Sequence, residues 1–127
     1  MAYFDQSGFD IRCEWGLAAI DHLARGQLAV VVDVLSFTTC VDIAVSRGVT
    51  VLRYARNDDG ATAFAVQRDA VLAGARERTG GTYSLSPASL LDAPAGLRLV
   101  LPSPNGSAIA FAARSAAMAV VAGSLRN

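Results

Sequence analysis

Three short polar segments interrupt a largely apolar chain, and each carries residue types suited to an anion or a hard cation. The first is Asp33-Val34-Leu35-Ser36-Phe37-Thr38-Thr39. Asp33 ends the run that reads as the most buried strand, and an acid there must be paired, hydrogen-bonded or bound to a metal. Ser36, Thr38 and Thr39 follow at the start of a helical pattern, where hydroxyls and free backbone N–H groups make an anion site. The same residues also fit an ordinary helix start in which Ser36 caps and Asp33 ties the loop. The second segment is Pro102-Ser103-Pro104-Asn105-Gly106-Ser107. Asn-Gly suits a left-handed turn and Ser107 offers a hydroxyl to an oxyanion; a plain capped turn fits as well. The third is Gly123-Ser124-Leu125-Arg126-Asn127, where Arg126 suits a phosphate or sulfonate or simply a solvated end. Glu14-Trp15-Gly16 adds a fourth edge, with Glu14 either a second acid of the site or a surface carboxylate beside a half-buried Trp. His22 shares a helical pattern with Leu17 and Leu23 and reads as structural.

These segments need a scaffold that gathers them. Gly8 to Cys13 alternates apolar and polar residues and predicts a half-buried strand. Gly16 to Leu23 predicts a helix stopped by Gly26. Leu28 to Val34, rich in β-branched residues and apolar up to Asp33, has the pattern of a central parallel strand. Further elements follow: a helix over Ser36 to Arg47, a strand over Val49 to Tyr54, and an Ala-rich helix capped by Asp58 and Asp59 and running to about Ala75. The segment from Thr79 to Gly96, including Gly80-Gly81, is irregular, with a short strand at Tyr83. Leu97 to Leu101 predicts a strand, Gly106 to Arg114 a helix and Ala119 to Ala122 a last strand. Alternation of this kind predicts an α/β three-layer sandwich on a mainly parallel or mixed sheet. In an open sheet of that type, ligands bind at the carboxyl ends of the strands, where the three polar segments fall.

Composition narrows the function. The 127 residues make one domain, 1–127, with 53% apolar and 17% charged residues, which excludes a disordered chain. Eleven basic and eleven acidic residues cancel, and nucleic-acid binding normally shows a basic surplus. Every basic residue is Arg, which excludes Schiff-base and Walker A lysines. A single histidine excludes H-E-x-x-H zinc chemistry. Cys13 and Cys40 read as small buried hydrophobes in a reducing cytosol. The start of the chain lacks a signal-peptide pattern, and no apolar run is long enough to span a membrane. The apolar surplus fits either a doubly covered parallel sheet or a large interface.

The ordered set Glu14-Trp15-Gly16, Val30 to Leu35 with Thr38-Thr39, Ala73-Gly74-Ala75-Arg76, Leu85-Ser86-Pro87, Asn105-Gly106-Ser107, and Ala122-Gly123-Ser124-Leu125 with Asn127 resembles the N-terminal half of the 2-phosphosulfolactate phosphatase (ComB) family. The resemblance implies a cytoplasmic, magnesium-dependent phosphatase that converts 2-phospho-3-sulfolactate, or a similar small phosphorylated acid, toward coenzyme M. It implies Asp33 as catalytic residue and Mg2+ ligand, with Glu14 as a second metal carboxylate. Ser36, Thr38, Thr39, Asn105, Gly106, Ser107 and Ser124 would hold the anionic substrate. Family members run to about twice this length, so the chain is expected to be half of a larger two-part fold. Its partner would be the C-terminal half, a second chain or a further copy in a homo-oligomer. Ser36 stands where the family often has Arg, Ala75 where many members have Glu, and Ser103-Pro104-Asn105-Gly106-Ser107 replaces Thr-Thr-Asn-Gly-Thr. The alternative is a non-catalytic binding module for a small phosphorylated or sulfonated acid.

Overall fold

The computed structural model describes residues 6–23, 28–56, 58–74 and 82–127. Helices alternate with parallel strands in an α/β sandwich. In chain order the elements are α1 (Ala18–Leu23), β1 (Leu28–Val32), α2 (Phe37–Ser46), β2 (Thr50–Tyr54), α3 (Gly60–Gln67), β3 (Val71–Leu72), a 3-10 turn (Pro87–Leu90), β4 (Arg98–Pro102), α4 (Gly106–Ser115) and β5 (Ala119–Gly123). The strands form two sheets, β1-β5 and β2-β4-β3, and every pairing is parallel. Helices α2 and α4 both pack on β5 and β2 and so link the two sheets.

The best-covered strand is β4. Leu99, Val100 and Leu101 are fully buried. Leu99 and Leu101 join Phe37, Cys40, Ile43 and Ala44 of α2, with Leu90 and Ala93, in one apolar cluster. Alternation turns Val100 to the opposite face, and α3 packs on β3 and β4. Burying a leucine side chain contributes about 1.5–3 kcal/mol, so this cluster is the main anchor of the fold.

The run from Leu28 was expected to be the most buried strand. Instead Leu28, Val30 and Val32 are 55–69% exposed, and only Val31 is buried in β1. The register pairs Val30 with Val121, itself 47% exposed, so these residues share an open apolar face. A continuous apolar run says that both faces can be covered; it does not say that this chain covers both.

Three helices end in the same way. Val49 N–H bonds to Ala44 O, Ala70 N–H to Ala65 O, and Met118 N–H to Ala113 O, each at 3.0–3.1 Å. The preceding residues Gly48, Asp69 and Ala117 have φ of 80°, 49° and 61°. This left-handed turn stops the helix and starts the next strand one or two residues later. It explains the main miss in the sequence reading. The Ala-rich helix expected to reach Ala75 ends at Gln67, because Asp69 closes it, and Val71–Leu72 becomes β3. At its start, Asp58 Oδ1 accepts from Gly60 N–H at 3.1 Å, while Asp59 makes no side-chain cap bond.

The strand expected over 8–13 is absent. Gln6 instead clasps Cys13 through both ends of its amide, at 2.7 and 2.8 Å, and closes a loop on itself. Phe9, Ile11 and Trp15 are exposed as a result. Cys13 is exposed rather than buried; Cys40 is buried, and neither is in a disulfide. The short strand expected at Tyr83 is a single parallel bridge between Gly74 and Ser84. Gly26, Ala75, Arg76 and Gly80-Gly81 lie outside the described residues. No described helix is long and apolar enough to cross a membrane.

Ala117 carries a β-carbon in the left-handed region, where glycine sits without penalty. Replacing Ala117 with Gly is expected to raise stability by about 1 kcal/mol. Urea unfolding of Ala117→Gly beside the parent chain checks this.

Candidate active site

Asp33 stands just beyond the carboxyl end of β1, and the register sets Val32 beside Gly123 of β5. Ser124 therefore follows on the neighbouring strand at the same level. Asp33 Oδ2 accepts a hydrogen bond from Gly106 N–H, the first residue of α4, at 3.2 Å. This single bond joins the end of β1 to a helix that begins after β4, in the other sheet. Two of the three polar segments thus meet directly, and the third lies beside the first.

Two features hold Asp33 in place. Thr38 is fully buried; its Oγ1 accepts from Asp33 N–H at 3.0 Å and its own N–H donates to Asp33 O at 2.9 Å. Gly106 leaves the room that the carboxylate needs. A β-carbon there would sit 2.7 Å from Asp33 Oδ2 and would collide with the Phe37 ring. Glycine is required here by close approach, not by its backbone angle.

The helix starts differ from a simple cap. Ser36 precedes α2 but makes no side-chain cap bond. Its hydroxyl donates to the carbonyl of Leu85, forty-nine residues on, and so ties the 82–90 segment to the site. That segment is held internally by serines: Ser89 Oγ accepts from Ser84 N–H at 3.0 Å and donates to Ser86 O at 2.7 Å. Thr39 Oγ1 donates to Val34 O at 2.8 Å. Thr38 and Thr39 thus use their hydroxyls to shape the Asp33 loop.

At α4, Asn105 is exposed and its carboxamide makes no hydrogen bond among the described residues. Ser107 is fully buried, and its Oγ has no hydrogen-bond partner among the described residues. It is the one such atom found there. A buried hydroxyl left unpaired costs about 1–3 kcal/mol. Together the first turn of α4 presents its positive dipole end, one N–H given to Asp33, one buried free hydroxyl and one free carboxamide.

The remaining residues sit apart. Ser124 closes a turn with Asn127, donating both its backbone N–H and its hydroxyl to Asn127 Oδ1 at 2.8 and 3.0 Å. Arg126 pairs with Asp42 of α2 at 2.6 Å instead of standing free for an anion. Glu14 accepts from the N–H of its neighbour Trp15 at 2.8 Å, in the exposed loop before α1. No hydrogen bond or ion pair among the described residues joins Glu14 to Asp33, and no group of three His, Cys, Asp or Glu gathers there. At the end of β2, Tyr54 donates to Asp58 Oδ1 at 3.0 Å. That hydrogen bond, with burial and the Asp58 charge, raises the phenol above its usual 10, so Tyr54 stays protonated near neutral pH.

The sequence reading did not find the Leu85 carbonyl, the Phe37 wall or the Asp42–Arg126 pair. Only Phe37 had a signal, an aromatic set between Ser36 and Thr38 at a helix start. The other two are long-range contacts between unrelated segments.

Comparison with known proteins gives one match. The family model for 2-phosphosulpholactate phosphatase matches residues 18–127. No curated protein and no solved structure matches the chain.

Gly106→Ala is expected to destabilise the protein by about 1–3 kcal/mol, because the added methyl group displaces the Phe37 ring or the Asp33 carboxylate. Chemical denaturation of the variant measures the loss directly.

Proposed function

The chain belongs to the 2-phosphosulpholactate phosphatase family, and on that premise we propose that it hydrolyses the phosphate ester of 2-phospho-3-sulfolactate, or of a similar small phosphorylated acid, with magnesium. The observation that carries this reading is the buried, unpartnered hydroxyl of Ser107 in the same helical turn that holds Asp33. A phosphate or sulfonate oxygen is the natural acceptor for that hydroxyl. Asn105 supplies amide donors on the open side of the same turn.

The donor set suits magnesium. This ion takes oxygen ligands, keeps several waters and is commonly bound by one or two carboxylates plus substrate phosphate. Asp33 offers the carboxylate oxygen that Gly106 does not use. Glu14 would have to leave its own loop to act as a second ligand, so Asp33 is the stronger assignment. Bound there, magnesium would polarise the phosphoryl oxygens and offset their charge.

The chain's own residues then divide the work. Asp33 holds the metal side of the site. Ser107 and Asn105 hold substrate oxygens. Thr38, Thr39 and Gly106 fix where the Asp33 carboxylate stands, and Ser36 keeps the 82–90 segment at the rim. Hydrolysis breaks the bond between phosphorus and the ester oxygen and forms one to an oxygen from water; the released ester oxygen takes up the proton that the water gives up and leaves as a hydroxyl. Water attacks either directly or after a covalent step, and no nucleophile is assigned.

Two departures favour the second reading, a non-catalytic binding module. Ser36 and Ala75 stand where, by the resemblance, the family often has Arg and many members have Glu, so one cation and one carboxylate of that pattern are missing. Two cysteines outside any disulfide fit a reducing cytosol. As partner we infer an apolar surface covering the open face of Leu28, Val30, Val32 and Val121, supplied by a C-terminal half or by another copy.

Phosphate release from 2-phospho-3-sulfolactate, with magnesium and with a chelator, tests the reading. Turnover is expected only with metal, and Asp33→Asn is expected to abolish it. Ser107→Ala is expected to lower kcat/KM about tenfold, the value of one lost hydrogen bond, with no loss of stability. Undiminished turnover by Asp33→Asn would remove its metal role. Tight binding without release by the parent chain would favour the binding module.

A further inference from the structure

A pocket of about 180 Å3, open to solvent on one side, lies between the two sheets, walled by α2, α4, β1, β2 and β5. Its lining is apolar, with Val41, Val45, Val51 and Val121 among its walls, apart from one charged side chain, Arg53 of β2. Arg53 lines this space and is itself exposed to solvent. Among the described residues it has no ion pair and no side-chain hydrogen bond. The acid next to Val41 in sequence, Asp42, is already engaged by Arg126 at 2.6 Å. The single charge at this cavity is therefore uncompensated.

An apolar cavity of about 150 Å3 is enough to take up benzene, and this one is slightly larger. A guanidinium binds a carboxylate through two parallel hydrogen bonds. We propose that this cavity binds a small amphiphilic carboxylate, with a body of about six carbons among the valines and its head on Arg53. Asp33 and Ser107 do not line it, although Phe37 borders both places, and the proposal stands or falls independently of phosphate hydrolysis.

Calorimetric titration of the full chain with sodium benzoate tests the proposal, with benzyl alcohol as the neutral counterpart. The parent chain is expected to bind benzoate saturably, at about millimolar concentration or tighter. Arg53→Gln is expected to weaken benzoate by about tenfold and to leave benzyl alcohol unchanged. Val45→Phe, at a position 57% exposed, fills the cavity from its rim and is expected to abolish binding of both. Circular dichroism confirms that both variants are folded. The proposal is overturned if the parent chain shows no saturable benzoate binding. It is equally overturned if Arg53→Gln, or a folded Val45→Phe, binds benzoate as the parent does.

Discussion

The hydrogen bond from Gly106 N–H to the Asp33 carboxylate is the constraint on which the site depends. It spans seventy-three residues and joins the end of β1 to the start of α4, whose preceding strand lies in the other sheet. A negative group at the positive end of a helix is worth about 0.3–1 kcal/mol when exposed and up to about 2 when partly buried. Its larger effect is geometric. With Asp33 fixed against α4, its carboxylate lies at the same helix start as Asn105 and Ser107. The same approach forbids any side chain at position 106 and presses Phe37 into the junction.

Much of the fold was legible because its signals are local. The strands at β2, β4 and β5 and the helices α2 and α4 begin and end within one or two residues of their periodic patterns. The failures have physical causes. The run Ala61 to Ala75 is rich in Ala, the strongest helix former, and that signal does not show that Asp69 turns left-handed and releases a strand. The alternation over 8–13 is a true strand pattern, but no strand among the described residues pairs with it; the Gln6 amide occupies the backbone of Cys13 in its place. β1 has the composition of a doubly covered strand but only one covered face. Which face is covered depends on what packs there, and no local pattern carries that.

The site was legible in its members and not in its wiring. Asp33, Asn105, Gly106 and Ser107 stood out as polar residues at strand ends in a greasy chain, and the structure draws Asp33 and Gly106 together. Thr38 also stood out, but its hydroxyl and N–H serve the Asp33 backbone. Ser36 reads as a cap in any sequence, yet it reaches Leu85. Glu14 looked like a second acid because of its order in the chain, and its nearest partner is its own neighbour. Spacing reveals which groups can do chemistry; only packing reveals which of them are already satisfied.

The central claim is that the Asp33–α4 junction is an oxyanion site completed by a hard cation. Amide NMR shifts during titration with inorganic phosphate, with and without magnesium, address it most directly. Saturable shifts at Asp33, Gly106 and Ser107 that require magnesium, and that vanish in Asp33→Asn, are the predicted result. Shifts confined to other residues, or equal with and without the metal, would contradict it.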